Sequence, residues 1–309
     1  MRIVILGQAA FGEKVLAAIL GLTEEVVGVF CPPDAPGRSN PLKQLADASH
    51  IPVFQPKKMR GPEVYETYAR LQPDLNVMAF VTDIIPEAIL NYPPCGTLQY
   101  HPSLLPKHRG GSAINWAIIH GETHTGLTIF WPDRGIDTGP ILLQKEVEIG
   151  PEETTGSLYF NQLFPLGVAA IVEAILRVRA GTAPRIAQDE SQATYEPLCT
   201  ADRTRIDWEQ SIDRVYNLIR GANPQPGAVT TFHGQPLKIF DSRKQSDAST
   251  GLQESLPGEV IAVEAEGFWV AVAGGRLLVQ RVQPENSPKM KAVEFLAASG
   301  LKIGDRLGR

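Results

Sequence analysis

The feature that most restricts the fold is a series of short, continuously apolar runs, each closed by a glycine, a proline or a polar turn and followed by residues of helical period. Residues 3–6 end at Gly7, and a helical pattern runs from Gly12 to Leu20 with Gly21 as its stop. Residues 26–30 repeat the apolar run, 74–80 and 97–101 are strand-like runs that carry a few polar residues, and residues 52–55 make a shorter one. A strand that is apolar on both faces belongs inside a sheet covered on both sides, which is the habit of parallel sheets. Helices intervene. Asn40 and Pro41 form an N-cap and first-position pair for a helix to about His50. Pro62 opens another through Leu71, Pro86 starts a short one through Leu90, and Ser112 caps residues 113–120 ahead of Gly121. Residues 127–130 and 141–149 add strands, and 154–180 a long helix that Pro165 should kink and Gly181 stop. Residues 1–183 are therefore expected to form an α/β domain with a mostly parallel sheet and right-handed crossovers.

Beyond residue 183 the pattern changes. Residues 184–206 are polar, irregular and without period, as in an ordered linker. Ser211 then caps a helix through Arg220, and short β runs at 228–232, 236–240, 259–263, 268–273 and 276–282 alternate with turns. Gly274 and Gly275 join the last two runs as a two-residue hairpin. Such strands in a small antiparallel unit predict an OB-like Greek-key β-barrel domain over 207–309, with a flexible loop at 245–257 and a closing helix at 290–299.

A chain of 309 residues can bury two cores, and a net charge of −5 gives no surface-wide attraction to nucleic acid, leaving only a local basic patch to provide one. Cys31, Cys95 and Cys199 are odd in number and far apart, which fits reduced structural thiols and neither a disulfide framework nor a metal set. His120 and His124 are four residues apart, but the Gly121 stop between them breaks the helix that would align them on a metal. The start, MRIVILGQ, reads as a first strand rather than a signal peptide, and no apolar run approaches membrane-spanning length. A cytoplasmic protein with no membrane partner is expected. The loop GQAAFG is neither GxGxxG nor a P-loop, so its glycines serve a tight strand-to-helix turn and no NAD is expected.

Chemistry concentrates in residues 96–111, GTLQYHPSLLPKHRGG. A strand period of two puts Gln99 and His101 on one face, roughly 7 Å apart, with Leu98 and Tyr100 on the other. Pro102 cannot join a ladder, so it ends the strand and leaves His101 at its carboxyl end, where open α/β sheets hold their ligands. A second piece, GIDTG at 135–139, brackets Asp137 with glycines. Histidine, carboxamide and acid together suit attack of water or an amine on a carbonyl. A carboxamide N–H or an imidazolium steadies the oxyanion, and Asp137 beside His101 helps to carry the proton away. No activated serine or cysteine is evident, which favours direct attack. Each residue also has a purely structural reading: His101 as a bonded strand-end histidine, Gln99 as a satisfied edge residue, and Lys107, His108 and Arg109 as a solvated loop. The triplet Asp137-Thr138-Gly139 occurs in aspartic proteases too, but here it stands once in an α/β chain.

The whole pattern, FVTDIIP at 80–86, HPSLLPKHRG at 101–110 and GIDTG at 135–139, resembles the folate-dependent formyltransferase superfamily in order and spacing. IDWEQS and IRGANPQPGA extend the likeness over nearly the full chain. The resemblance implies a Rossmann-like domain that uses no dinucleotide, a smaller barrel after it, and 10-formyltetrahydrofolate as carbon donor with no metal. Residue by residue, it implies His101 and Asp137 as the catalytic pair and Gln99 in the third catalytic position. It places the main chain of Phe80, Val81, Thr82, Asp83 and Ile84, with Pro132, Asp133, Arg134, Gly135 and Ile136, around the pterin. Leu104 would wall the pocket, and Arg109 would meet an anionic group on the ligand or acceptor.

The acceptor is less constrained. Amine-formylating members usually carry asparagine where this chain has Gln99, and the hydrolase domain of 10-formyltetrahydrofolate dehydrogenase carries an apolar residue. The extra methylene of glutamine moves the carboxamide by roughly 1.5 Å. YHPSLLPKHRGGSAINWAIIHG, LYFNQLFPLG and ATYEP resemble that hydrolase domain more than methionyl-tRNA formyltransferase. The loop CPPDAPGRSNPLKQ has only Arg38 and Lys43 as basic residues, a poor phosphate surface, so tRNA is not the favoured partner. The leading expectation is an enzyme that works without an aldehyde-dehydrogenase portion and releases the formyl group to water, giving formate and tetrahydrofolate. The alternatives are transfer to an amine of methionyl-tRNA, an amino sugar or a peptide, and a catalytically degenerate folate-binding protein.

Overall fold

The computed structural model describes residues 1–246 and 255–309. In chain order the first strands and helices are β1 (Arg2–Gly7), α1 (Ala9–Leu20), β2 (Glu25–Phe30), α2 (Pro41–Ala48), β3 (Val53–Phe54), α3 (Pro62–Arg70), β4 (Leu75–Ala79), α4 (Glu87–Leu90) and β5 (Thr97–His101). There follow the two-residue strand β6 (Arg109–Gly110), α5 (Ala113–Ile119), β7 (His124–Phe130), β8 (Ile141–Glu148), α6 (Thr155–Leu158) and α7 (Phe164–Arg179). The large sheet runs β3-β2-β1-β4-β5-β7-β8. Its pairings from β3 through β5 are parallel, whereas β5 and β7 are antiparallel. The run at 127–130 is buried whichever way it points, so its apolar pattern carries no signal of direction.

Alternation along β1 explains how the sheet is covered. Ile3 and Ile5 face a core built with Phe11 and Leu16 of α1 and Ala170, Ile171, Ala174 and Ile175 of α7. Val4 and Leu6 face a second core with Val64 and Tyr68 of α3 and Ile89 of α4. Strand order departs in both directions from β1, toward β2 and toward β4, and the crevice at such a switch point is where open α/β sheets take ligands.

One buried polar side chain fixes the neighbourhood of that crevice. Asn76 of β4 is fully buried, accepts from Tyr68 Oη at 2.9 Å, and donates to Ile89 O at 3.0 Å and Thr97 Oγ1 at 3.1 Å. Thr97 Oγ1 in turn donates to Leu90 O at 2.7 Å. An unsatisfied amide in a buried strand would be costly, and this network instead pins α4 to the sheet and so fixes the far end of the 80–86 loop.

Several local expectations shift. Pro86 is the N-cap residue rather than the first residue of α4. Ser112 does not cap α5 with its side chain: its backbone is left-handed (φ 62°) and its Oγ accepts instead from Cys199 N at 3.0 Å. At Pro165 the long helix passes through a π-helical turn, Tyr159–Leu163, and restarts as α7. Proline has no N–H for the i−4 carbonyl, and a wider turn is the usual accommodation. The continuous helical run Thr155–Arg179 is, by length and composition, long and apolar enough to cross a membrane, contrary to the sequence reading. Its residues Ala170, Ile171, Ala174 and Ile175 are packed into the sheet core, which accounts for the apolar composition.

The chain divides into two compact units, and they interleave in sequence. One comprises 1–110, 126–147 and 160–195, the other 111–125, 148–159 and 196–309. Within the second, α8 (Ile212–Gly221) begins at Ser211, whose Oγ accepts from Arg214 N. Then come β10 (Ala228–Phe232), β11 (Gln235–Ser246), β12 (Val260–Glu264), β13 (Gly267–Val272), β14 (Gly275–Pro284), β15 (Met290–Lys291) and α9 (Ala292–Ser299), after β9 (Tyr195–Glu196) in the linker. The antiparallel sheet runs β10-β11-β14-β13-β12, with β15 on β14. Among the described residues no strand pair closes it into a barrel. The segment 305–309 lies between the edge strands instead: Leu307 N and Asp305 O bond Gly258 O and Val260 N, while Gly308 N donates to Thr231 O. The hairpin register pairs Val272 with Gly275, so the turn is Ala273 and Gly274. Residues 247–254 of the expected 245–257 loop lie outside the described residues, and Gln245 and Ser246 end β11, paired with Arg276 and Gly275.

Candidate active site

His101 closes β5 and is 5% exposed, and Asp137, in the turn after β7, is 8% exposed. Their nearest atoms, His101 Nδ1 and Asp137 Oδ2, are 3.5 Å apart. The other ring nitrogen, Nε2, lies 2.8 Å from the carbonyl oxygen of His108. A carbonyl can only accept, so Nε2 carries a hydrogen, and the lone-pair edge of a neutral ring would then face a carboxylate. The arrangement is satisfied when a proton sits between Nδ1 and Asp137. At 3.5 Å that proton is not held in a short hydrogen bond, which leaves it available to a reacting atom.

The same carboxylate oxygen of Asp137 accepts from Gly110 N at 2.8 Å. Asp137 itself is left-handed (φ 56°), an uncommon backbone for a residue with a side chain. The turn that holds it is tightly folded: Asp133 Oδ1 accepts from Gly135 N at 2.9 Å and Thr138 Oγ1 at 2.6 Å. A Cβ at Gly139 would stand 1.8 Å from Trp131 O, and one at Gly135 would stand 2.0 Å from Thr138 Oγ1. The glycine at 139 is thus demanded by the close return of the backbone, whereas the one at 135 makes room for the Thr138 side chain.

The loop between His101 and Gly110 is anchored on β7 and β8. Thr128 Oγ1 donates to Ser103 O and accepts from Leu105 N, and Gln144 Nε2 donates to Leu105 O at 2.8 Å. Gln99 shares the His101 face of β5, between Met78 of β4 and Phe130 of β7 in register, and is half-buried. Among the described residues its carboxamide has no hydrogen-bond partner, so it is free to meet a ligand.

The residues expected around the pterin fall in two groups. Phe80 (48% exposed, φ 61°) and Ile84 (64% exposed) are large apolar side chains held out in solvent at the end of β4, as is Ile136 (66% exposed) in the second turn. Apolar residues left uncovered at a strand end suit a flat heterocycle. Val81, Thr82, Pro132, Arg134 and Gly135 lie in the same two loops. Asp83 and Asp133 spend their carboxylates inside the loops, Asp83 accepting from Met59 N at 2.9 Å and Ile84 N at 3.0 Å. Leu104 is half-buried beside Gly126 of β7.

Arg109 is a correction. It is fully buried, and its guanidinium is taken up by Glu190, Gln188 and Tyr195, at 2.6–3.1 Å. Glu190 above all holds it protonated beyond the ordinary arginine range, and Arg109 in turn holds Glu190 below the usual carboxylate range. With every donor group engaged internally it is not placed to meet an anionic ligand. Nor are His108 and Arg109 a solvated loop, since both are buried.

A cleft of about 170 Å³ opens at the carboxyl ends of β1, β2 and β4, lined by Gln8, Cys31, Lys57, Lys58, Phe80 and Thr82 among others. Sequence reasoning missed Lys57 and Lys58, because it weighed basic charge only in the loop after β2 and around Arg109. The Cys31 thiol on this cleft is pushed up to about 11, chiefly by burial, so at neutral pH it is no thiolate nucleophile.

The model of the formyl transferase family matches residues 1–175, and that of the formyl transferase C-terminal domain matches 199–300. Methionyl-tRNA formyltransferase of Trichlorobacter lovleyi is 40% identical over 312 residues, covering 99% of this chain and 96% of its own length. Cytosolic 10-formyltetrahydrofolate dehydrogenase of Mus musculus is 39% identical over 312 residues, 97% of this chain. The match covers 34% of that relative, so the chain spans about a third of its length. Among solved structures, HypX from Aquifex aeolicus in complex with tetrahydrofolic acid has a TM-score of 0.69 at 20% identity, over 99% of this chain and 48% of HypX, a likeness of fold.

Proposed function

Since the chain belongs to the formyl transferase family, we propose that it takes the formyl group of 10-formyltetrahydrofolate and releases it to water. The observation that carries this reading is the buried His101 and Asp137 pair, with Nε2 committed to a carbonyl and the Nδ1 edge open to a shared proton. In the reaction, the water oxygen bonds to the formyl carbon and the carbonyl becomes an oxyanion. Asp137 accepts the water proton, and His101, with the free carboxamide of Gln99, supplies hydrogen to the oxyanion. Collapse breaks the bond to N10, the nitrogen takes a proton through the same pair, and formate and tetrahydrofolate leave. Phe80, Ile84 and Ile136 would cover the pterin faces. We read the second unit as an OB-type module and the protein as cytoplasmic.

Incubation with 10-formyltetrahydrofolate alone tests the acceptor. Tetrahydrofolate is expected to accumulate without an added amine; its absence would sink the hydrolytic reading. Transfer to an amine is the second reading, favoured by Lys57 and Lys58 on the cleft, which suit an anionic acceptor such as an aminoacyl-tRNA end or a nucleotide sugar. Gln99→Asn separates the two. Drawing the carboxamide back by one methylene is expected to raise amine formylation relative to hydrolysis by about tenfold, measured as formyl-amine against formate. An unchanged ratio would mean that side-chain length does not select the acceptor. Equal, slow rates in wild type, His101→Ala and Asp137→Asn would point instead to a folate-binding protein that does not turn its ligand over.

A further inference from the structure

The left-handed turn that carries Asp137 to His101 is held within by Asp133, and it is also bonded from outside by Gln188. The carboxamide of Gln188 is fully used. Its Nε2 donates to Asp137 O at 2.9 Å and Gly139 O at 2.7 Å, while its Oε1 accepts from Arg109 Nε at 3.1 Å and Nη2 at 2.8 Å. Arginine can only donate and carbonyls can only accept, so this is the one orientation of the amide that satisfies all four contacts. Arg109 is itself clamped by Glu190 through two nitrogens, at 2.9 Å and 2.6 Å, and by Tyr195 Oη at 2.7 Å. A chain of bonds thus runs from the Arg109 clamp through one amide to the main chain on both sides of Thr138. Without it, the left-handed Asp137 backbone loses a bond at its own carbonyl and the turn loses another at Gly139 O.

Resting on the reading of His101 and Asp137 given above, we propose that Gln188 is a positioning residue for Asp137, with Arg109 as its anchor. Gln188 touches neither His101 nor the Asp137 carboxylate. It acts by fixing the two carbonyls that aim that carboxylate toward His101 Nδ1. The role predicts a loss greatest in the chemical step, because Gln188 bonds the second loop only at Asp137 O and Gly139 O, beyond the residues 132–136 that would line the folate.

The test uses the full chain with Gln188→Ala, which removes the amide, and Gln188→Glu, which keeps the acceptor for Arg109 but turns oxygen toward two carbonyls. Both are expected to lower kcat at least about tenfold while KM for 10-formyltetrahydrofolate stays within about threefold. In protein labelled with ¹⁵N-histidine, the His101 Nδ1 signal is expected to move toward that of an unprotonated nitrogen as Asp137 swings away. A fall in melting temperature with kcat and the His101 signal both unchanged would show a merely structural bond and overturn the inference. Wild-type turnover abolished by His101→Ala but untouched in both Gln188 variants overturns it as well and leaves the site reading intact. Failure of wild type to turn over the donor, with water or with amines, sinks the site reading itself.

Discussion

His101→Ala is expected to reduce turnover of 10-formyltetrahydrofolate by at least about a hundredfold while leaving folate affinity nearly unchanged, because in the proposed reaction the ring is an acid–base group and not a wall of the pocket. The ring is buried between the His108 carbonyl and Asp137, and the Gln99 amide beside it can donate a hydrogen bond but cannot give up a proton. Asp137→Asn should give a loss of the same order for a different reason. An asparagine still accepts from Gly110 N, so the turn is kept, but it cannot share a proton with Nδ1. Steady-state kinetics with titration of a non-reacting folate checks both. If either variant keeps more than about a tenth of wild-type kcat, the pair does not carry the proton.

Gly139→Ala is the second large effect, and it is one of folding as well as activity. The added Cβ would meet the carbonyl oxygen of Trp131 at 1.8 Å, and because that atom is backbone, no rotamer change relieves the clash. The turn must open, which also breaks the Gln188 bond to Gly139 O. A loss of at least about 3 kcal/mol is expected, read as a fall in melting temperature on the order of 10 °C, with activity lost in the same preparation. Gly21→Ala is the matched control. Its φ is −78° and its Cβ would meet only Ala18 O at 3.4 Å, so stability should stay within about 0.5 kcal/mol. Equal stability of the two variants would show that the glycine bracket is not required by the close return of the chain.

His101, Arg109 and Gln188 differ in how legible they are from the sequence. His101 was placed at the end of a strand by Pro102 and by alternation, two local signals, and the structure has it at the end of β5 with Leu98 and Tyr100 turned to the opposite core. The direction of β7, by contrast, had no local signal, since a run buried in the sheet is apolar either way. A basic residue in a polar loop is ordinarily solvated, yet Arg109 is fully buried. Its partners, Gln188, Glu190 and Tyr195, lie some eighty positions later in what the sequence offers only as an irregular linker, at separations of 79, 81 and 86 residues. Gln188 was invisible for the same reason. A residue whose worth lies in bonding main-chain carbonyls fifty positions away leaves no pattern in its own neighbourhood.

By itself the sequence determined the kinds of elements and the chemical types at the site, because period, capping and glycine or proline punctuation act within a few residues. The apolar runs, the Asn40 cap and the glycines around Asp137 all belong to that local physics. Only the tertiary structure decided which of those groups meet. It set the 3.5 Å between His101 and Asp137, committed Nε2 to the His108 carbonyl, withdrew Arg109 into a clamp and left the Gln99 amide without a hydrogen-bond partner among the described residues. Those outcomes depend on hydrogen bonds between segments far apart in the chain, which form only once the sheet has brought the ends of its strands together.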